Sequence, residues 1–458
     1  MWRCTSTFGV EPCFFETGAP GIVLHKSGFC RGSRTLRPRF LPLGTVDEYY
    51  AAINNPALWN PRTSLKTLWK ALAVRIRPLF DLLYAEVDND TIMAAHPWAL
   101  GARLLHERYG VPLVSLQISP SMFLSAKLPP IHKQFTIPLS LPYPVRAGLL
   151  WTFDRAVLDR ICAPDINRLR SDLGLPPVTR IMGRWMHSPQ SVLGLFPEWF
   201  APPQTDWPPN VTLTGFPLFD EAEFRSDDTE LESFLTKGPA PVVFTPGSTL
   251  VNGLPYYTVA ADALNALGAK GIFLASKGTM LPRLTPNILT RSYVPLSKLL
   301  PRATALVHHG GIGTASQAFA AGIPQLITPF AHDQFDNAAR VERLGCGFQM
   351  HSHGSGQAMR TSLKRLLDDQ DIQQNCAAFR LRVESGESAC IRRPWIWSIS
   401  SRSKNYAADP AARATANDLS EGLIPSRLIL AIKVVRGRPS RAAAPFRPPM
   451  TPPVCCRV

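Results

Sequence analysis

One stretch of the sequence, ALVHHGGIGTASQAFAAGIPQLIT at residues 305–328, constrains the fold more than any other. A short apolar run ends in a histidine pair, a Gly-Gly-Ile-Gly turn follows, and small residues at helical spacing lead to Gly322 and Pro324. Because glycine and proline commonly end a helix, the pattern predicts a strand, a tight turn, the helix Thr314–Ala321 and a second strand. This order is typical of a parallel sheet covered by helices.

The same alternation of short apolar runs and helical patterns recurs on both sides of an acidic, polar stretch. It predicts an α/β fold with two Rossmann-like domains that face each other across a cleft. The predicted divisions are an atypical N-terminal segment at 1–40, a first domain at 41–222, a linker at 223–239, a second domain at 240–390 and a Pro/Arg-rich, irregular tail at 391–458. The predicted strands include Thr91–Ala95, Pro112–Gln117, Val242–Thr245, Ser292–Val294 and Ala305–His308.

The positive charge of the chain is concentrated at its two ends. The net charge is +15, of which residues 1–40 carry +4 and residues 391–458 carry +9. The 350 residues between them hold 31 basic and 29 acidic side chains and are nearly neutral. A nucleic-acid-binding function driven by charge is therefore not expected, and the basic ends are interpreted as solvated segments.

The cysteine and hydropathy patterns indicate which classes of protein are not expected. The nine cysteines form no CxxC pair and no His/Cys spacing typical of a metal site, so no metal and no cofactor are predicted. No apolar run reaches the roughly 18 residues that a membrane helix requires. The N-terminus lacks the charged and apolar regions of a secretion signal, and we expect a cytoplasmic protein.

The glycine-rich turn suggests an anion-binding site. The start of a helix presents free backbone N–H groups and the positive end of the helix dipole, and glycines allow a phosphate to approach them. His309 ends the preceding strand and can donate a hydrogen bond to phosphate, while Thr314 can cap the helix. A turn of this kind also occurs for purely structural reasons, so the argument requires the residues around it.

Those residues resemble a known family. The stretch SYVPLSKLL…ALVHHGGIGTASQAFAAGIPQLITPFAHDQFDNAARV is similar to the donor-binding region of GT-B glycosyltransferases of family 1, and most of all to bacterial sterol glucosyltransferases and the rhamnosyltransferase chain of rhamnolipid synthesis. The resemblance is specific over Ser292–Gly347 and looser over the rest of residues 40–388. It implies a GT-B fold whose second domain binds a nucleotide sugar and whose first domain binds the acceptor.

The resemblance also implies a role for each matching residue. An aromatic ring at Tyr293 would stack on the nucleobase, whose edge would bond the backbone of Val294. Asp333 and Gln334 would bind hydroxyls of the transferred sugar. The implied diphosphate site consists of Ser248, Thr249, His309, Gly311, Gly313 and Thr314.

Two positions depart from the plant pattern of this family, and both lie on the ribose side of the donor. Leu296 stands where a glutamine is usual, and Gln317 stands where a glutamate would accept two ribose hydroxyls. A donor that lacks the 2′-hydroxyl needs fewer acceptors there, which favours a dTDP-sugar over a UDP-sugar. Harmless variation between branches of the family remains the alternative.

The catalytic base is predicted to lie in the first domain. Inverting transfer requires a group that deprotonates the acceptor hydroxyl, and the family places a histidine for this purpose in an N-terminal glycine loop that residues 1–40 do not contain. His96 follows a predicted strand and is the candidate, with a structural histidine as the alternative; His25, His106, His132 and His187 are weaker candidates. The loss of the family pattern at both ends suggests an incomplete first domain from a truncated or frame-shifted gene.

The acceptor is predicted from the long apolar, Pro-rich stretch at residues 115–151, which fits a hydrophobic cleft better than a sugar-binding surface. The alternative is that this stretch forms ordinary core and surface loop. The sequence thus predicts an inverting glycosyltransferase that moves a hexose from a dTDP- or UDP-sugar to a hydroxyl of a lipid, sterol or aglycone. Peripheral contact with the inner face of the membrane stays open. The alternative function is a nucleotide-sugar-binding pseudoenzyme with impaired transfer.

Overall fold

The computed structural model of the protein describes residues 21–26, 39–60, 62–87, 91–133, 136–218, 220, 222, 228–247, 253–276, 278–350, 355–384, 427–430 and 432–436. The strands are β1 (Gly21–Lys26), β2 (Arg39–Pro42), β3 (Thr91–Ala95), β4 (Leu113–Gln117), β5 (Ser191–Gly194), β6 (Val211–Leu213), β7 (Val242–Thr245), β8 (Gly271–Leu274), β9 (Ile288–Arg291), β10 (Ala305–His308), β11 (Gln325–Ile327), β12 (Gly347–Gln349), β13 (Arg427–Leu430) and β14 (Ile432–Arg436).

The helices lie mainly between the strands, as the α/β pattern predicts. They are α1 (Val46–Ile53), α2 (Pro56–Trp59), α3 (Ser64–Tyr84), α4 (Leu100–Tyr109), α5 (Tyr143–Phe153), α6 (Asp159–Asp172), α7 (Thr229–Thr236), α8 (Leu254–Leu267), α9 (Leu296–Leu299), α10 (Ile312–Ala321), α11 (Gln334–Arg343), α12 (Gly356–Asp368) and α13 (Gln370–Glu384). A π-helical turn, Asp154–Leu158, joins α5 to α6.

Two separate sheets form the centres of two α/β units. The second unit has a six-stranded sheet in the order β12-β11-β10-β7-β8-β9, in which every pairing is parallel. The first unit has the order β14-β3-β4-β5-β6, in which β3 to β6 are parallel. The predicted α/β class with two Rossmann-like sheets is thus confirmed.

Burial on both faces explains why the central strands are almost wholly apolar. Val242, Val243 and Phe244 of β7 are fully buried, and successive residues contribute to different core clusters on opposite faces of the sheet. A strand covered by helices on both sides cannot alternate apolar and polar residues. The sequence pattern of β7 and β10 therefore locates the middle of this sheet.

Element boundaries agree with the sequence in some places and differ in others. Strands β3, β7 and β10 have the predicted bounds. The prediction of a strand at Ser292–Val294 is wrong, because the strand of that region is β9, which pairs in parallel with β8 and ends at Arg291. Pro295 is the N-cap of the short helix α9, so the three predicted residues form the connection.

The segment predicted as a linker, 223–239, contains helix α7. Asp228 caps this helix, because its carboxylate accepts a hydrogen bond from the N–H of Leu231. Acidic residues in the first turn favour the positive end of the helix dipole, and Leu231 anchors the helix in the core of the second unit. The acidic residues that suggested a linker therefore belong to the cap and first turn of a helix.

The chain ends contain strands that the sequence did not predict. Strands β13 and β14 lie within the predicted irregular tail at 391–458, and β14 pairs antiparallel with β3 at the edge of the first sheet. Strand β1 lies within the N-terminal segment and pairs with β2 and β13. The other residues of 1–38 and 385–458 lie outside the described residues.

None of the helices in the described part of the chain combines the length and apolar character that crossing a bilayer requires.

Candidate functional site

The glycine turn between β10 and α10 holds His309 at the carboxyl end of the second sheet. Its partly buried ring lies between two glycines, since a Cβ on Gly247 would be 3.0 Å from His309 Cε1 and a Cβ on Gly311 would be 2.4 Å from Nε2. Burial lowers the pKa of His309 to about 4, and a backbone contact with Thr245 opposes this shift. The imidazole is therefore neutral near pH 7, and its buried Nδ1 makes no hydrogen bond of ordinary geometry.

The neighbouring His308 has a structural role. Its Nε2 lies 3.1 Å from Gln325 Oε1, and its Nδ1 accepts a hydrogen bond of 3.2 Å from the N–H of Gly310. These contacts define a neutral ring with the proton on Nε2, and burial lowers the pKa of His308 to about 3. The two histidines of the pair thus differ, since the contacts of His308 fix the turn that presents His309.

The glycines of the turn are explained partly by packing. Gly310 has φ +93°, and a Cβ there would be 2.9 Å from the carbonyl oxygen of Gln334 and 3.0 Å from Ile327 Cγ2. Gly311 makes room for the ring of His309. The structure therefore gives these two glycines a packing role that the sequence did not predict.

Helix α10 begins two residues earlier than predicted. Gly311 is its N-cap and no side chain caps the helix, so the expectation that Thr314 caps it is wrong. Gly313 and Thr314 instead lie in the first turn, where backbone N–H groups have no partner within the helix. Both residues are partly exposed there.

Asp333 lies at the N-terminus of α11, and the side chain of Asn337 links it to the same glycine turn. The buried Asn337 donates from Nδ2 to Asp333 Oδ2 at 3.0 Å and to the carbonyl oxygen of Gly310 at 3.0 Å. Asp333 makes no side-chain capping bond to α11. Burial raises the pKa of its carboxyl, and hydrogen bonds from Asn337 and Ser119 oppose the rise.

The side-chain oxygen of Gln334 is already hydrogen-bonded within the loop that precedes α11. Its Oε1 accepts hydrogen bonds from the N–H groups of Phe330 at 2.7 Å and Ala331 at 3.0 Å. These bonds fix the side chain beside Asp333 and do not use its amide nitrogen. Gln334 can therefore offer a donor to a ligand, whereas its acceptor stabilises the loop.

The first unit contacts the second at this same helix. The N–H of Ile131 donates to Asp336 Oδ1 at 3.2 Å, and Asp336 pairs with Arg340 at 2.7 Å. Arg340 in turn reaches the carbonyl oxygen of Phe200 at 3.5 Å. With Ser119 close to Asp333, these contacts show that the carboxyl ends of the two parallel sheets face each other.

Three further predicted donor residues follow β9 or lie within α10: Tyr293, Val294 and Gln317. Tyr293 is partly exposed between β9 and α9, and Val294 is buried in the core. The buried Gln317 donates from Nε2 to the carbonyl oxygen of Leu218 at 3.3 Å, so its amide binds the segment between the units. The predicted diphosphate residues Ser248 and Thr249 lie outside the described residues.

His96 belongs to a buried polar group that the sequence did not bring together. Its Nδ1 accepts a hydrogen bond of 3.3 Å from the N–H of Trp98, and its buried Nε2 has no partner. Burial lowers the pKa of His96 to about 3, with a further contribution from His187. Burial also lowers the pKa of His187 to about 4, and a backbone contact with Met122 opposes it.

The side-chain amide of Gln117, at the end of β4, is also buried without a hydrogen-bond partner. Three neutral polar groups therefore lie at or near the carboxyl end of the first sheet with unused hydrogen-bonding capacity. Buried polar atoms without partners are uncommon in proteins and often mark ligand or water sites. Sequence reasoning named His96 and, as a weaker candidate, His187, but it neither brought the two together nor found Gln117, because these residues lie far apart along the chain.

Within the described residues, no group of three or more His, Cys, Asp or Glu side chains is arranged to hold a metal ion. The expectation of metal-independent chemistry stays a prediction.

Solved structures show which class this architecture defines. The glycotransferase of kitacinnamycin matches with a TM-score of 0.56 and 19% identity over 73% of this chain and 82% of that one. The calicheamicin glycosyltransferase CalG4 also matches with a TM-score of 0.56, at 17% identity over 78% of this chain and 85% of the other. The protein has the GT-B glycosyltransferase fold.

Sequence comparison identifies the second unit more closely. Residues 262–389 match the family described as "Erythromycin biosynthesis protein CIII-like, C-terminal domain". An O-mycaminosyltylonolide 6-deoxyallosyltransferase of Streptomyces fradiae is 35% identical over 188 residues, which are 40% of this chain and 43% of that protein. A sterol 3-beta-glucosyltransferase of Vanderwaltozyma polyspora is 29% identical over 209 residues, 42% of this chain and 17% of that protein. The chain thus spans less than half the length of these relatives.

Proposed function

We propose that this protein is an inverting glycosyltransferase that moves a hexose from a dTDP- or UDP-sugar to a hydroxyl of an apolar acceptor. One observation supports the proposal: Asn337 binds both Asp333 and the turn that presents His309, so the carboxylate proposed to bind the sugar and the turn proposed to bind phosphate form one group. The two relatives named above, a sterol 3-beta-glucosyltransferase and an O-mycaminosyltylonolide 6-deoxyallosyltransferase, support an apolar acceptor.

The proposed donor site uses neutral hydrogen-bond donors for the diphosphate. The N–H groups of the first turn of α10 would bind phosphate oxygens, and the neutral ring of His309 would donate one further hydrogen bond. Donors fixed in place before reaction stabilise the negative charge that develops on a leaving diphosphate. Asp333 would accept from two hydroxyls of the sugar, and the amide nitrogen of Gln334 would donate to a third.

The contacts of Gln317 support a donor with few ribose contacts. Its amide donates to the backbone of Leu218 and is buried, so it is committed within the protein. A site without a carboxylate at this position loses little affinity for the nucleotide when the ribose 2′-hydroxyl is absent. We therefore favour dTDP over UDP as the nucleotide of the donor.

The role of His96 follows from its tautomer. With Nδ1 accepting from the N–H of Trp98, the proton of the neutral ring lies on Nε2. Nε2 can then donate a hydrogen bond but cannot accept a proton, and a pKa of about 3 makes the ring a weak base. His96 fits better as a donor that orients the acceptor hydroxyl than as the group that removes its proton.

The low pKa of His96 is also the observation that favours the second candidate function, a nucleotide-sugar-binding protein with impaired transfer. Both candidates require the donor site, and they differ in turnover. A protein that binds the nucleotide sugar and leaves every acceptor unmodified would fit the second candidate alone.

Calorimetric titration with dTDP and UDP, followed by mass spectrometry of sterol and aglycone acceptors, tests the proposal. His309→Ala should weaken nucleotide binding by about 1–3 kcal/mol, because it removes a hydrogen bond to a charged group. His106→Asn is the matched control, since His106 contacts only the backbone of Val111 in the described hydrogen bonds and lies away from the turn. Unchanged affinity in folded His309→Ala, or no binding of either nucleotide to the native chain, would contradict the proposed donor site.

A further inference from the structure

Exposed apolar side chains are concentrated in one short part of the first unit. Among the described residues, nine large hydrophobic side chains are exposed, and six of them lie between 139 and 157. Singly scattered exposed hydrophobic residues need no explanation, but clustered ones mark an interaction surface. We call this cluster the α5 face; it consists of Leu139, Tyr143, Val145, Leu149, Trp151 and Val157.

Helix α5 is apolar on both its inner and outer sides. Leu150 is buried in a small cluster against the preceding loop, with Ala147 packed beside it. On the outer side, Val145 and Leu149 lie one helical turn apart with exposures of 46% and 45%, and Trp151 is 54% exposed. A helix that is apolar all round is normally buried, so the α5 face is expected to have an occupant.

Charge around the α5 face indicates the chemistry of that occupant. Residues 139–160 contain two carboxylates, Asp154 and Asp159, and both are buried. Asp154 pairs with Arg180 at 2.9 Å, and Asp159 pairs with Arg155 at 2.8 Å. The anionic groups of this region therefore point into the protein and are neutralised there.

Cations, in contrast, lie at the surface of the same region. Lys127 Nζ lies 4.7 Å from the ring centre of Tyr143, and Arg146 donates from Nη1 to the carbonyl oxygen of Leu139 at 3.4 Å. Arg160, the second residue of α6, is exposed. Apolar and aromatic side chains with basic groups beside them are the pattern of helices that lie in the interface of an anionic membrane.

We propose that the α5 face binds the surface of an anionic phospholipid membrane, with Leu149 and Trp151 inserted among the lipids and Lys127, Arg146 and Arg160 at the headgroups. Tryptophan and tyrosine suit this position because one end of each ring system is polar. The proposal is independent of donor binding, because no residue of the α5 face belongs to the proposed donor site. Leu139 to Trp151 do lie in the stretch predicted to line the acceptor cleft, so the membrane-binding readout is kept separate from sugar transfer.

Cosedimentation of the full chain with vesicles tests the proposal. We expect the native chain to bind phosphatidylcholine vesicles that contain about 30% phosphatidylglycerol and to bind pure phosphatidylcholine more weakly. The double variant Leu149→Glu/Trp151→Glu should lower the partition coefficient about tenfold or more. Leu381→Glu/Val74→Glu is the matched control, because both side chains are exposed and lie outside the α5 face, and its binding should stay within about twofold of native.

Three outcomes would overturn the proposal. The first is failure of the native chain to bind the anionic vesicles. The second is binding of the folded double variant as tight as that of the native chain, which would assign membrane binding to the basic chain ends. Alternatively, size-exclusion chromatography with light scattering would show a dimer that the double variant abolishes, and the face would then be an interface between two copies. If the double variant fails to fold by circular dichroism, Arg160→Glu replaces it, and weaker binding to anionic vesicles alone is the expected result.

Discussion

The Nδ2 atom of Asn337 lies 3.0 Å from Oδ2 of Asp333 and fixes the direction of that carboxylate. The same atom donates to the carbonyl oxygen of Gly310 at 3.0 Å, so the carboxylate, helix α11 and the glycine turn keep one relative geometry. Asn337 comes four residues after Asp333, which places both on one side of the helix N-terminus. A ligand that bridges the turn and Asp333 would therefore meet groups whose positions are already set.

Replacement of Asn337 by alanine should reduce affinity for a nucleotide sugar about 10- to 100-fold, because a hydrogen bond to a charged group contributes about 1.5–3 kcal/mol. Affinity for the bare nucleotide should change much less. Calorimetry with both ligands measures the difference, and Asn375→Ala is the control, since the side chain of Asn375 bonds the backbone of Gly345 at 3.3 Å and no other partner within the described residues. Equal losses for the two ligands would show that Asn337 supports the fold of the turn alone.

Asp333→Asn should impair use of the sugar donor far more than binding of the bare nucleotide. The carboxylate can accept from two sugar hydroxyls, whereas the amide keeps one acceptor oxygen. Because Asp333 makes no side-chain capping bond to α11, the substitution should leave the melting temperature nearly unchanged. A large loss of thermal stability in this variant would assign Asp333 a structural role instead.

Gly311→Ala should displace the ring of His309 and weaken nucleotide binding. The added Cβ would lie 2.4 Å from His309 Nε2, closer than van der Waals contact permits, so the ring or the turn must move. Gly148→Ala is the control, because a Cβ at that helical position meets nothing within 4 Å. Native nucleotide affinity in Gly311→Ala would show that the position of the imidazole is unimportant for binding.

His187→Phe should reduce the loss of stability that the protein shows in mild acid. The folded-state pKa of His187, about 4, lies below the value of about 6.5 for an unfolded chain. Its contribution to the free energy of unfolding is therefore complete above pH 6.5 and is lost as the pH falls from 6.5 towards 4, because the unfolded chain binds the proton first.

A phenylalanine has no proton to bind and can pack against Phe123, whose ring centre lies 5.6 Å from that of His187. The variant should gain about 1–3 kcal/mol relative to native between pH 7 and pH 4.5. Denaturant unfolding at several pH values measures this difference. Parallel pH profiles for the native and variant proteins would show that His187 does not titrate in this window.

The sequence predicted the strands of the two sheets well where burial on both faces produces continuous apolar runs, as in β7 and β10. It also located the glycine turn, because a strand, glycines and a small-residue helix occur in order along the chain. It misplaced the strand near Ser292, where pairing of β9 with β8 decides the bounds and local pattern does not.

The candidate site was predictable in part. His309, Asp333 and Gln334 lie in one continuous motif, so their proximity follows from the strand–turn–helix order. The contacts of Ser119, Ile131 and His187 join residues distant along the chain, and no local pattern encodes them. Asn337 had a detectable signal, since it follows Asp333 at helical spacing.

The hydrogen bond from Ile131 to Asp336 makes helix α11 a shared part of both units. Any hinge motion that separates the units must remove this donor and admit water to a carboxylate–guanidinium pair that is buried when they meet. Dissolved salt screens a hydrated ion pair strongly and a buried one weakly. The rate at which such a hinge opens should therefore respond to ionic strength, although neither residue of the pair touches a ligand in the proposed function.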